Sequence, residues 1–584
     1  MKIPSHADNL TEVIKSTQQK AFLFSLFRLF LFLLLGATLI VGLSDNRLLL
    51  LLLLPGSVIF VWLIKRFNEY NDQVAFLKEL QQMNVERKKR ADRNLEQFDP
   101  GTEFIDKSHP FCNDLDLFGP HSLFQLVNHT VSRSGRSLLA QKIKSQISPD
   151  IQGEKITAID ELSTKNDFNR NFEAIGRAFI KDEKNKQQFY HWLENPEKWE
   201  PLYTVLLVIG PLGGFSVLIA VLFGIIHASW IGLWIILGMV TLSMLFKPLQ
   251  QATLIWPNQG DVKTFRLWSE LLEKETFQSK FLQLHHRPFQ EGQLTKGFKS
   301  LEQTSFLVQN RLNLVYLIFN LIFWLDFPLM WKLKNWKNQF GDQLSHIESL
   351  LDEWQLLVSL ASFSKEENLT GQVNWTEDTV IQASNLTHPL LSPSIAVGND
   401  FELDQNTKTI LLTGANMSGK TTFMRALGVN LVLINLGLRP FASTMSCGPI
   451  KLYTSMRNTD NLGESVSSFY AELARIRQIL QASEKGENVF FLMDEILKGT
   501  NTTDRIMGSE ALIRQLAATL AKGIISTHDI ELSQLENQYA YLQNRSFHSE
   551  IDDREIRFDY KLKEGPCPSF NAHKLMELMG IKFQ

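Results

Sequence analysis

The sequence predicts an α/β domain in its last third, with a mostly parallel sheet flanked by helices, preceded by an all-α core and two hairpins of apolar helices. Three observations carry this. Two stretches before residue 250 are almost pure hydrocarbon while the rest reads as soluble; residues 262–365 repeat Leu, Phe and Trp at the period of long packed helices; and from residue 409 short apolar, β-rich runs end in polar residues.

At 584 residues the chain is too long for one core, and usual domain sizes suggest three or four units. Apolar residues at 44% and charged residues at 21% fit an ordinary globular protein, so the hydrocarbon runs stand out by segregation. A net charge of −3 gives no global basic field of the kind that marks nucleic-acid binders, so such a contact has to come from local patches. Cys112, Cys447 and Cys567 are scattered, offering neither a metal-ligand spacing nor a disulfide framework, and fit a reducing compartment.

Residues 22–43 and 48–64 are apolar runs separated by the polar turn Ser44-Asp45-Asn46-Arg47; a second pair occupies 202–225 and 229–246, joined by His227-Ala228. Roughly 20 apolar residues cross a bilayer and 17 is near the lower limit, so all four qualify as spans. The first run is too long for a cleaved signal peptide and no small-residue cleavage site follows it. Pro211, Gly213 and Gly214 are tolerable in a membrane helix, and a buried hairpin of a soluble protein is the alternative for this second pair. Lys2, Lys15 and Lys20 precede the first span, Lys65 and Arg66 follow the second, and Lys247 follows the fourth, so both hairpins enter and leave from the cytoplasm. This implies a multi-pass protein of the cytoplasmic membrane. Residues 312–331 are nearly as apolar, but a fifth span would carry everything downstream out of the cell, and Asn313, Asn320 and Asp326 would be costly in lipid. They are read as one long buried helix of a soluble domain.

Residues 409–427 run from a β-rich stretch through a glycine loop into a helical pattern. Inside lies Gly414-Ala415-Asn416-Met417-Ser418-Gly419-Lys420-Thr421, then Thr422, a full match to the G-x-x-x-x-G-K-[ST] phosphate loop. The glycines let backbone N–H groups turn in around phosphates, Lys420 reaches the β- and γ-phosphates, and the Thr421 hydroxyl suits Mg²⁺. Some 80 residues on, five apolar residues from Val489 lead to Asp494 and Glu495, which reads as a buried parallel strand with acids at its C-terminal end. Asp494 suits the magnesium shell and Glu495 is the candidate general base for the attacking water. A third run, Gly523–Thr527, ends at His528, placed to sense a γ-phosphate or polarise water. Together these predict a P-loop ATPase domain using ATP and Mg²⁺, with Lys420, Glu495 and His528 catalytic.

Read together, 411–442, 461–480, 492–505 and 526–532 resemble the MutS family of DNA mismatch repair proteins, in order and at that family's spacing. Ala415 stands where many members carry proline, and Ser465-Val466 replaces a common Gly-Arg before the serine run. The resemblance implies an ABC-ATPase-like domain over 386–584 that pairs with a second copy, with Ser467 approaching the partner's γ-phosphate and Asp504 lining the same interface. Residues 568–581 resemble the terminal helical segment that braces such dimers, and an ordinary surface helix is the alternative there. Upstream, 109–143 resembles the start of the family's core, and 262–365 would be its lever arms. The mismatch-reading N-terminal domain is absent and the clamp is shortened or missing. The implied layout is 1–70 with the first hairpin, 71–200 with a juxtamembrane helix and the start of the core, 201–247 with the second hairpin, 248–385 with the arms, and then the ATPase domain. Phe67-Asn68-Glu69 matches the Phe-x-Glu reading motif by letter only, with no domain around it.

DNA, mismatched or branched, is a partner implied by the resemblance alone. The densest basic cluster, Arg87-Lys88-Lys89-Arg90 with Arg93, lies on a helix of about 68–95 that continues from the second span. Anionic lipid, a phosphate backbone or a solvated face would each account for it. A fused ATPase transporter is an alternative, against which 421–494 lacks a Leu-Ser-Gly-Gly-Gln signature and the spans carry no charge at their centres. A membrane scaffold whose arms grip a protein is the other.

Overall fold

The structure, a computed structural model, describes residues 10–44, 47–147, 152–181, 187–194, 199–255, 258–309, 311, 314–457, 468–552 and 555–568. It is mostly helical, with one α/β sheet domain and several long apolar helices.

Helices α1 (Leu10–Ser44) and α2 (Leu53–Ala91) form an antiparallel hairpin. Phe32 meets Phe60, Phe24 meets Trp62 and Tyr70, and Gln81 donates to Thr11, so the pairing runs far beyond the apolar stretch. Arg28 lies over the Phe67 ring at 4.7 Å, and Arg66 pairs with Glu69 at 2.8 Å.

The far end of α2 enters the core, and this changes the reading of the basic cluster. Arg90 donates to the Asn128 carbonyl at 2.8 Å, while Arg93 bonds Pro389 O at 2.9 Å and holds Glu367 through two bonds of 2.8 and 2.7 Å. Both arginines are buried. Only Arg87, Lys88 and Lys89 of the cluster remain for a partner. From Ile64 to Arg87 the helix climbs roughly 35 Å, at about 1.5 Å per residue.

The core continues through α3 (Leu123–Val127), α4 (Arg133–Ile143), α5 (Gln152–Thr164), α6 (Asn166–Phe179) and α7 (Gln187–Glu194). The second apolar pair is α8 (Pro201–Leu222) and α9 (Ser229–Ile255), followed by α10 (Gln259–Lys274), α11 (Lys280–Gln290) and α12 (Gln293–Gln309). Among the described residues four helices could cross a membrane by length and composition, Leu10–Gly42, Leu49–Ala91, Pro201–Leu222 and Ser229–Gln250, or five if the bent pair Tyr316–Phe323 and Asp326–Leu344 is one span.

Residues 312–331 are not one long buried helix. Helix α13 (Leu314–Phe323) stops at Trp324, whose φ of +51° no helix accommodates, and α14 (Asp326–Ser345) leaves at 94°. The reason is packing: Trp324 stacks on Trp234 of α9 at 4.7 Å, and the Trp234 indole donates to Ile322 O at 2.7 Å. The apolar pattern carried no sign of this break. Helix α15 (Ile347–Glu366) then crosses the core, where Ser359 bridges the His129 N–H and the Val127 carbonyl. The arms predicted over 262–365 are therefore a set of helices of at most 20 residues, since Gly292, the Trp324 elbow and the turn at His346 interrupt the period.

Two sheets follow. The smaller has order β1-β5-β2-β3, from β1 (Gln372–Trp375), β2 (Ile381–Leu386), β3 (Asn399–Leu403) and β5 (Thr444–Cys447). Between β3 and β5 come β4 (Thr409–Gly414) and α16 (Lys420–Asn435). Then follow β6 (Lys451–Ser455), α17 (Ser468–Glu484), β7 (Val489–Asp494), α18 (Thr502–Ala517), β8 (Lys522–Thr527), β9 (Leu542–Asp552) and β10 (Glu555–Glu564). The larger sheet has order β10-β9-β4-β8-β7-β6, parallel except for β10 against β9. Every residue of β4 and β8 is buried, as strands covered on both faces require.

Candidate nucleotide site

The site forms where β4, β7 and β8 end together. Asp494 lies opposite Ser526 in the register, and Thr413 opposite Thr527, so acids and histidine emerge beside the loop that follows β4. That loop turns on Gly414 (φ +153°), where a Cβ would stand 2.7 Å from Phe547 O, and on Gly419 (φ +106°), the residue before α16. No side chain caps α16, so its first N–H groups face the loop, an arrangement that suits an anion.

The buried Lys420 ammonium bonds Gly414 O at 2.8 Å and Ala415 O at 3.1 Å. Burial pushes its pKa down, and the nearby Asp494 and Glu495 carboxylates oppose that shift. Ser418 Oγ is buried with no hydrogen-bond partner among the described residues. An unmet donor and a lysine folded onto its own loop carbonyls are what a phosphate cradle presents without its anion. Asn416, Met417 and Thr422 face solvent, Met417 at 86% exposure and a φ of +67°.

Thr421 donates to Asp494 Oδ2 at 2.6 Å, and the Ser526 hydroxyl donates to Asp494 Oδ1. Two hard oxygen ligands side by side fit Mg²⁺, which keeps several waters and takes few protein ligands. Glu495 sits in the left-handed region (φ +49°), its N–H bonded to Ser526 O at 3.0 Å, which points the carboxylate back across the strand ends. His528 Nε2 lies 2.7 Å from Glu495 Oε1, and Lys498 pairs with the other oxygen. Burial raises the Glu495 pKa, but the hydrogen bonds from His528 and Lys498 outweigh it and hold the carboxyl at about 2.

The structure therefore brings together Gly414, Ala415, Ser418, Gly419, Lys420, Thr421, Asp494, Glu495 and His528. Asp504 stands apart on the exposed first turn of α18, accepting from the Asn501 side chain at 2.7 Å. Ser467 lies outside the described residues, as does all of 568–581 beyond Pro568. Sequence reasoning missed Lys498 and Ser526, whose only signal was adjacency to the motifs. It also missed the part Glu472 plays: its carboxylate accepts from the Leu497 N–H and so ties α17 to the turn that carries Glu495.

It missed the cavity beside the loop as well. Some 320 Å³ are enclosed by Leu386, His388, Ile395, Val397, Phe423 and Tyr560, and open onto Gly419 and Thr422. Burial pushes His388 down to about 4, so its ring is neutral. These residues come from β2, the segment before β3, α16 and β10, and no local pattern joins them.

Residues 410–581 match the family described as MutS domain V. Curated relatives, each named DNA mismatch repair protein MutS, include one from Listeria innocua, 29% identical over 257 residues. Another from Bacillus cytotoxicus is 30% identical over 258 residues, and one from Lactobacillus johnsonii 26% identical over 264. The matches cover 43%, 43% and 44% of this chain but 29%, 28% and 30% of those relatives, so the chain spans under a third of their length.

Proposed function

Because the chain belongs to the MutS family through its C-terminal domain, we propose that it is a membrane-anchored ATPase that couples ATP hydrolysis to a grip on DNA. The observation that carries the ATPase reading is the convergence of a phosphate-loop cradle, the Thr421–Asp494 pair and the His528–Glu495 pair on one sheet end. The triphosphate lies along the loop, with Lys420 exchanging its carbonyl partners for phosphate oxygens. Adenine enters the apolar cavity beyond Thr422, where Phe423, Tyr560 and neutral His388 offer flat faces and no competing charge. Thr421 and Asp494 would hold magnesium, which would supply neutralisation of the phosphate charge.

Glu495, ionised at neutral pH, accepts a hydrogen bond from the attacking water and orients it in line. With so low a pKa it acts first by positioning, and the proton moves only as the transition state develops. His528 and Lys498 fix the carboxylate's direction. Two copies pair across this face, the segment with Ser467 completing the other copy's site, as in the family resembled.

The apolar helices α1, α2, α8 and α9 anchor the chain in the cytoplasmic membrane, with the ATP site on the cytosolic side. Their unburied apolar faces support this: Phe22, Phe30, Ile40, Leu212 and Trp230 are all exposed. A protein partner in place of DNA is the second reading, favoured by the burial of Arg90 and Arg93, which leaves only three cations of the cluster at the surface. ATP turnover by purified chain in nanodiscs, with homoduplex, mismatched and branched DNA, tests the proposal. Glu495→Gln should lower turnover by about 10²–10⁴-fold while ATP still binds. A rate indifferent to every DNA would sink the DNA half alone.

A further inference from the structure

We infer that the α13–α14 elbow is inserted into the cytoplasmic leaflet as a re-entrant segment, its Leu317-Ile318-Phe319 face in contact with lipid acyl chains. The inference rests on the reading of α8 and α9 as membrane spans.

Depth is the first argument. Gly210, Gly214 and Gly238 lie near the middle of the two apolar helices, and all three open towards the elbow. A Cβ on Gly210 would stand 2.6 Å from the Trp324 Cβ, one on Gly238 would stand 2.6 Å from the Trp324 ring nitrogen, and one on Gly214 would overlap the Ile322 carbonyl. Gly210 is about nine residues past the start of α8, so Trp324 sits roughly 14 Å along the hairpin from its base. That is about half of a ~30 Å hydrocarbon core.

The base of the hairpin shows where the headgroups lie. Lys334 stacks over Trp199 at 5.3 Å, Tyr203 meets Phe327 at 5.9 Å, and Arg311 faces Phe246 at 5.9 Å. Lys247 and Trp331 are exposed at the same end. Cations interleaved with Trp and Tyr are the side chains that anionic headgroups and the interface select. From this ring α13 runs inward along α9, from the cavity that Leu317 shares with Phe246 to the seat of Ile322 between Gly214 and Trp234.

The face that this leaves outward is hydrocarbon. Leu317, Ile318 and Phe319 are 39, 50 and 49% exposed and continue the exposed apolar surface of α8 and α9. Of the polar residues that argue against insertion, Asn320 and Asp326 are answered internally, and Asn313 lies outside the described residues. Asp326 is 1% exposed, accepts from Arg311 at 2.6 Å and from the Tyr316 hydroxyl at 3.0 Å, and its N–H bonds Asn320 Oδ1 at 2.9 Å. A re-entrant element returns to the side it left, so the ATP site stays cytosolic.

Single spin labels in nanodisc-held protein read this directly, because the native cysteines are all buried and can be replaced. Labels at Ile318→Cys and Phe319→Cys are compared with Leu212→Cys on α8 and Leu284→Cys on α11, two references that are 64 and 70% exposed. Collision with oxygen should exceed collision with a water-soluble nickel chelate at 318, 319 and 212, and the reverse should hold at 284. If 318 and 319 follow 284 while 212 reports lipid, the elbow is aqueous and the inference is wrong. If 212 also reports water, the anchor reading falls, and the inference with it.

Discussion

Around Asp494 the strands β4 and β8 are buried along their whole length, and Asp494, Glu495 and His528 at the strand ends each meet a chosen partner. Along α8 and α9 the surface is apolar and open, and Arg311, Tyr316, Asn320 and Asp326 pair among themselves beside it. The first region positions a few groups to fractions of an ångström; the second offers a broad face to an unspecific solvent. Side-chain chemistry specifies the one, and hydropathy with small-residue seats specifies the other.

The contrast can be broken by substitution. Asp494→Ala should reduce magnesium-dependent turnover by on the order of 10³-fold, the several kcal/mol that a held metal contributes. Unchanged magnesium dependence in that variant would dissolve the Thr421–Asp494 assignment. The first hairpin is tied to the core by the far end of α2, so that anchorage should matter to fold rather than chemistry. Arg93→Ala leaves the Glu367 carboxylate nearly buried and without that partner, and should destabilise the helical core by ~3–5 kcal/mol, read as a lowered melting temperature.

His528→Ala sharpens the site's half. It removes a hydrogen bond that depresses Glu495, so the Glu495 pKa rises and the acid limb of the turnover profile moves to higher pH, with a loss of about tenfold at neutrality. The sign for stability follows. A carboxyl held at about 2 contributes stability above its unfolded value of ~4.3 and loses it as pH falls towards 2. An acid limb that stays in place would leave His528 without this role. The smallest effect is expected from Arg87, Lys88 and Lys89 changed together to alanine. If they touch DNA, affinity drops and the salt dependence flattens by up to about three counterions. Unaltered DNA affinity would favour the protein-gripping reading.

Legibility in the sequence follows the same divide. Lys420, Thr421, Asp494 and Glu495 could be read because phosphate and metal chemistry tolerates few residue types at few spacings, and the parallel order of β4, β7 and β8 places them together. The cavity of His388 and Tyr560 could not, because its walls come from separate elements. The elbow at Trp324 was hidden for another reason. Residues 314–323 are apolar on every side but for Tyr316 and Asn320, so periodicity cannot tell a buried helix from one that faces lipid. The break depends on glycines more than 80 residues away in sequence. The burial of Arg90 and Arg93 was not legible in the basic cluster, because charge along α2 says nothing of which face the core takes.

The most direct test of the account is equilibrium binding of Mg·ATP to the full chain in nanodiscs, set beside turnover, for the natural protein and for Lys420→Ala. The account predicts saturable binding with hydrolysis in the first, and loss of both in the second while the melting temperature without nucleotide holds. Equal affinity and equal turnover in the two proteins would contradict it.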